Sequence, residues 1–150
     1  MRLLLALAAL AALPAHPYCI VNELPVRAIV VEQDEHPDSL RNERRFRHTV
    51  APGKRQCCDF HNLDCNPGGR ENAVVALSIA IPGEPAYECR VPENAREPSI
   101  KVTGAGTLRV TPNSRVSAYP YVVRIRTHDR KDLTGPRGVT CLPAKPKGKP

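Results

Sequence analysis

The chain has 150 residues, a length that suits one domain once an N-terminal leader is set aside. Aromatic residues make up only 4% and Trp is absent, so the core must rest on Val, Ile, Leu and Ala, and cross-links become valuable. The formal charge is +7 and no run after the leader approaches the roughly 20 apolar residues of a membrane helix, which excludes a helical membrane protein and favours a soluble, basic one.

Met1-Arg2 is followed by Leu and Ala alone from Leu3 to Leu13, and Pro14 ends the run. One positive charge, a short apolar stretch and the small Ala15 predict a secretory signal peptide over 1–15, cut between about Ala12 and Pro17. Cys19 is preceded by His16-Pro17-Tyr18, not by the small residues of a lipid-anchored bacterial cysteine. Loss of Arg2 with the leader lowers the formal charge to +6, which suits wall polymers, phospholipid heads or nucleic acid, or solubility alone. No Asn-x-Ser/Thr sequon is present.

Residues 26–31 predict a first strand. An acidic loop, Glu32 to Asp38, and a basic run of Arg41, Arg44, Arg45 and Arg47 follow; Arg44-Arg45 also has the form of a dibasic processing site. Residues 46–50 alternate as a half-buried strand does. Cys57 to Gly69 reads as a cysteine-bearing loop closed by Asn66-Pro67-Gly68-Gly69. Residues 73–81 form the most apolar run of the mature chain and predict a central strand. Pro82-Gly83-Glu84-Pro85 turns the chain, and Tyr87 to Val91 returns as a strand. Ser99–Thr103 and Thr107–Thr111, joined by Gly104-Ala105-Gly106, predict a hairpin. Tyr119 to Thr127 gives another strand, and Val139-Thr140-Cys141 closes the ordered part. The Pro/Lys/Gly tail from Leu142 to Pro150 buries too little to fold. No stretch keeps a helical period. Short strands with turns every 8–12 residues therefore predict an all-β, mostly antiparallel sandwich or small barrel over residues 18–141.

Cys19, Cys57, Cys58, Cys65, Cys89 and Cys141 are an even set in a small exported chain and predict three disulfides. The adjacent Cys57 and Cys58 cannot bridge each other without strain and must reach different partners. Bridges from Cys19 and Cys141 would tie down the two ends. Cys57-Cys58-x-x-His61-x-x-x-Cys65 resembles a zinc ligand set in composition, but oxidation removes the thiolates, so no metal and no cofactor are expected.

Two constellations bear on function. Lys101, Arg109, Arg124 and Arg126 occupy polar slots between apolar neighbours, with Arg90 a further member, so adjacent strands would align them on one outer face able to dock a polyanion. His48, His61, Glu88, Arg115 and His128 are the ingredients of a ribonuclease. One group takes the 2′-OH proton, a His protonates the leaving oxygen, and Arg steadies the phosphate. Tyr87-Glu88 and Thr127-His128 ahead of Cys141 resemble segments of secreted fungal guanyl-specific ribonucleases. The intervals here are longer, and the N-terminal helix and base-stacking aromatics are missing. Only this alternative implies a nucleic-acid partner.

The segment Cys57-Cys58-Asp59-Phe60-His61-Asn62-Leu63-Asp64-Cys65-Asn66-Pro67-Gly68, with Tyr87-Glu88-Cys89 and Cys141, resembles small cysteine-rich secreted proteins of filamentous fungi, including effector-like ones. That resemblance implies an extracellular role at a host or cell surface. The expectation is a secreted, monomeric binding protein whose partner is an anionic extracellular polymer or a host protein. A small secreted hydrolase and a cationic toxin or antimicrobial protein are the alternatives; the toxin lacks an exposed amphipathic helix.

Overall fold

The computed structural model describes residues 17–34, 45–84, 87–90, 100–114, 121–134 and 139–143, with the strand backbone alone for 87–90 and 139–143. The signal-peptide segment, Arg44, Arg115 and residues 144–150 lie outside them. Ten strands and no helix are present among the described residues: β1 (Tyr18–Asn22), β2 (Ile29–Gln33), β3 (Arg47–Val50), β4 (Arg55–Cys58), β5 (Val74–Ala80), β6 (Tyr87–Arg90), β7 (Ile100–Thr103), β8 (Thr107–Pro112), β9 (Tyr121–Arg126) and β10 (Val139–Pro143). They form a six-stranded sheet, β4-β1-β8-β9-β10-β6, and a four-stranded sheet, β3-β2-β5-β7. All ladders are antiparallel except β1 with β8.

Alternation explains the layering. In β5, Val75, Leu77 and Ile79 are buried while Val74, Ser78 and Ala80 are exposed. Tyr18, Ile20, Leu108, Val110, Tyr121, Val123 and Ile125 of the larger sheet meet Ile29, Val31, Val75, Leu77, Ile100 and Val102 of the smaller in one core cluster. The molecule is thus a two-layer sandwich. The few aromatics are used at its centre. Tyr18 packs edge-on against Phe46 at 5.5 Å between centroids, and its hydroxyl donates to the Cys65 carbonyl at 3.2 Å. Burial pushes that hydroxyl's pKa upward, since phenolate has little water there.

Four expectations are corrected. The first strand is β1, ahead of the 26–31 run, of which only the C-terminal part enters β2. The cysteine segment starts inside a strand, because β4 pairs with β1. The Gly104-Ala105-Gly106 link is a corner between sheets, not a hairpin turn: β7 pairs with β5, whereas β8 pairs with β1 and β9. The glycines serve close approach here. A Cβ on Gly104 would collide with the Arg70 carbonyl, and one on Gly106 would lie 2.6 Å from the Arg126 carbonyl. Finally, β10 runs through Pro143, so order extends past Cys141 into the segment expected to be an unfolded tail.

Cys19 bridges Cys57 across the β1–β4 ladder, and Cys58 bridges Cys65 within the following loop. The neighbouring cysteines therefore do take different partners. No free cysteine occurs among the described residues. The β6–β10 register sets Cys89 directly opposite Cys141, as the β1–β4 register sets Cys19 opposite Cys57. Peptide mapping of unreduced protein is expected to recover Cys89 and Cys141 in one linked pair. Alkylation of both as free thiols would refute the third bridge.

Candidate functional site

The outer face of the six-stranded sheet is built row by row from strand register. Burial of Leu108 and Val110 turns Thr107, Arg109 and Thr111 of β8 outward; burial of Val123 and Ile125 does the same for Arg124 and Arg126 of β9. Arg109 stands directly opposite Arg124, and Thr107 opposite Arg126. On the other side β1 sets Val21 beside Arg109 and Cys19 beside Thr107, and β4 then adds Arg55 opposite Val21 and Cys57 opposite Cys19. One row thus reads Arg55, Val21, Arg109, Arg124, and the next reads Cys57, Cys19, Thr107, Arg126. Arg90 holds the register position of Thr140, which pairs with Val122 in the row of Thr111. Lys101 is not part of this surface. It is exposed on β7, in the other sheet, where it pairs in register with Ala76.

Two adjoining depressions follow these rows. One, of about 490 Å³, is lined by Glu23, Arg109, Arg124, Arg126 and Asp132 among others; the second, of about 550 Å³, is lined by Arg55, Arg126, His128 and Arg130 over the Cys19–Cys57 bridge. Thr107 and Arg126 line both, so the two form one continuous trough. Like charges directly opposite on a ladder destabilise it by roughly 0.2–1 kcal/mol, which the Arg109–Arg124 pair incurs. The ion pair of Arg109 with Glu23 offsets part of that.

The 127–131 turn adds Arg130, which sequence reading passed over, and His128, which it placed in the ribonuclease set. The Thr127 N–H donates to the Lys131 carbonyl at 2.9 Å, and the Arg130 N–H donates to the Thr127 carbonyl at 2.9 Å. The His128 N–H donates to Thr103 Oγ1 at 2.9 Å, tying the turn to the glycine corner. The Thr127 hydroxyl donates to Asp129 and, first among several contacts, holds that carboxyl below its usual range. Arg130 takes φ of 64°, a left-handed conformation that Gly or Asn adopts at lower cost.

The structure does not assemble the ribonuclease set. His128 lies in the trough, while His48 lies on β3 of the four-stranded sheet with its ring 4.5 Å from that of Phe46. His61 follows β4 in an exposed turn. Its Nδ1 is 3.0 Å from Asp59, whose carboxyl is held low, first by the His61 backbone N–H. Glu88 is on β6, at the opposite edge of the larger sheet from β4, about 24 Å away at the usual strand spacing. Arg115 lies outside the described residues. His48 and Asp59 do share a shallow depression beside the Cys58–Cys65 bridge, without Glu88 or His128. With Cys57, Cys58 and Cys65 all in disulfides, their thiolates are not available as ligands, and His61 Nδ1 faces the Asp59 carboxyl.

Arg55 and Arg130 are the trough residues that sequence reading missed. The signal for Arg55 was its place two residues before Cys57, hence on the same face; it becomes visible only once the Cys19–Cys57 pairing is known. Comparison with known proteins adds nothing to this: no family model, curated protein or solved structure matches the chain.

Proposed function

We propose that this chain is a secreted, disulfide-stabilised binding domain that docks an anionic extracellular polymer in the arginine trough of its six-stranded sheet. Support for export comes from the Leu/Ala leader and from two described disulfides, a chemistry of oxidising compartments. The observation that carries the binding reading is the placement of Arg109 directly against Arg124, continued by Arg126 and Arg55, at a cost in strand pairing. A bound polyanion offsets what remains of that cost beside the Arg109–Glu23 ion pair, because its oxyanions lie among these guanidinium groups. No cofactor enters. On this reading the protein acts as an effector-like surface binder, in the manner of the small fungal secreted proteins it resembles, and as a monomer. It works through charge and shape, without bond making or breaking.

The test is retention on immobilised heparin and on polygalacturonate. Wild-type protein is expected to bind both at low salt and to elute as ionic strength rises. Arg124→Glu with Arg126→Glu is expected to weaken binding about tenfold or more at physiological salt. Unchanged retention would remove the trough from consideration. RNA cleavage by wild type that is lost in His128→Ala would instead favour the ribonuclease alternative.

A further inference from the structure

We infer that the Cys19–Cys57 disulfide is a site of thiol–disulfide exchange selective for anionic thiols: the depression over it takes a small thiol bearing carboxylates, of the glutathione type, and brings its thiolate onto the bridge. This goes beyond the docking reading and does not depend on it.

The two described disulfides stand in different surroundings. Cys58 and Cys65 are each 5% exposed. The depression beside them contains Asp59 and Asp64, and its arginines, Arg45 and Arg47, both reach Glu32. Cys19 and Cys57 are half-buried on the outer face of the six-stranded sheet and line a depression of about 550 Å³. An exposed disulfide is the one that an incoming thiol attacks most readily.

Register fixes the charges around that bridge. Arg55 precedes Cys57 by two residues on β4 and so shares its face. Arg126 lies in the row of Cys19, two strands away, about 10 Å at the usual spacing. Arg130 and His128 line the depression from the 127–131 turn. Of the nearby carboxylates, Asp132 stands in register with Arg126 and Asp129 accepts from the Thr127 hydroxyl; neither lines the depression, whereas the three guanidinium groups do. The Debye length is about 8 Å at physiological salt, so charges at this range are felt at the sulfurs with only partial screening.

Exchange begins when a thiolate attacks one sulfur of the bridge. A new S–S bond forms as the Cys19–Cys57 bond breaks, and the other cysteine leaves as a thiolate, which takes a proton from water. A second thiolate attacks the mixed disulfide and releases the remaining cysteine. Two small thiols are thereby oxidised to one disulfide, and the protein disulfide is reduced to two thiols. During each attack one negative charge is spread over three sulfurs, and neighbouring guanidinium groups stabilise it and the departing thiolate. The same groups hold the carboxylates of the incoming thiol. A cationic thiol gains the first effect and is repelled by the second. Opening removes the covalent tie of β4, a four-residue edge strand, to β1.

Oxidised mature protein treated with 3-mercaptopropionate, 2-mercaptoethanol or cysteamine tests this, because these thiols are similar in size and are negative, neutral and positive. Protein thiols are trapped by alkylation at intervals and located by peptide mass spectrometry. Each rate is divided by that thiol's rate on an uncharged small disulfide, which removes differences in thiol pKa and nucleophilicity. Cys19 and Cys57 are expected to label before Cys58 and Cys65. At low salt the corrected rate for 3-mercaptopropionate is expected to exceed that for cysteamine about tenfold or more, with 2-mercaptoethanol between them, and the gap is expected to close in about 1 M salt. Glutathione is expected to follow the anionic thiol. Arg126→Glu with Arg130→Glu is expected to reverse the order. Equal corrected rates for the three thiols in wild type overturn the inference, as does earlier opening of Cys58–Cys65. Either result leaves the polymer-docking reading standing.

Discussion

Replacing Cys19 and Cys57 together by serine is expected to cost the folded domain about 4 kcal/mol, against about 2.5 kcal/mol for the same replacement of Cys58 and Cys65. The difference follows from loop length. The first bridge spans a sequence separation of 38 residues and the second only 7, so the first removes far more freedom from the unfolded chain. Location adds to the contrast. Cys19–Cys57 fastens β4, an edge strand of four residues, to β1, whereas Cys58–Cys65 closes a local turn. A domain of this size has a net stability of about 5–15 kcal/mol, so loss of the first bridge removes between about a quarter and four-fifths of it. Urea unfolding of the two double variants measures both numbers. A larger loss for Cys58 and Cys65 would contradict the chain-entropy account. Loosening of β4 also frees Arg55 from the trough, so the first variant is expected to lose affinity for the anionic polymer together with stability.

Asn22→Ala is expected to cost about 3 kcal/mol, as much as many large core truncations. Asn22 ends β1 and is fully buried, yet each polar group of its side chain is used. Nδ2 donates to the carbonyls of Arg27 and Val50, both at 2.8 Å, and Oδ1 accepts from the Leu24 N–H at 3.0 Å. Those bonds fix the point where the chain leaves the six-stranded sheet for β2, and they anchor it to the end of β3 in the other layer. Truncation strands the Val50 carbonyl and the Leu24 N–H away from water and unpairs the part-buried Arg27 carbonyl, and an unmet buried group costs about 1–3 kcal/mol. Leucine at the same position restores the volume but not the bonds, so Asn22→Leu should fall with Asn22→Ala and not with wild type. Thermal unfolding reads the effect as a midpoint lowered by about 10 °C. Recovery of wild-type stability by Leu would show that packing, and not hydrogen bonding, is what Asn22 supplies.

Much of the architecture was readable along the chain, because strand alternation is a local property. Val75, Leu77 and Ile79 in β5, Ile100 and Val102 in β7, and Leu108 and Val110 in β8 point inward as their spacing predicts. The same spacing identified Arg109, Arg124 and Arg126 as outward. Two segments hid from this logic. β1 carries the half-buried Cys19 and Val21 on its outer face and the polar Asn22 on its inner one, so its pattern is blurred. β4 offers only Arg-Gln-Cys-Cys, with little apolar content to mark it.

Sequence alone thus determined that the chain is all-β, that Cys57 and Cys58 diverge, and which arginines leave the core. The tertiary structure alone decided which of them share a surface. A period of two says which side of a strand a residue occupies, and nothing about which sheet the strand joins. Lys101 and Arg109 sit on successive strands with the same local pattern, yet the glycine corner sends one to each layer. Arg55 and Arg109 are far apart in sequence, yet register across β4, β1 and β8 places them in one row. Pairing is settled by the burial of distant apolar faces against each other. The basic trough is therefore a property of the folded sheet and not of any segment within it.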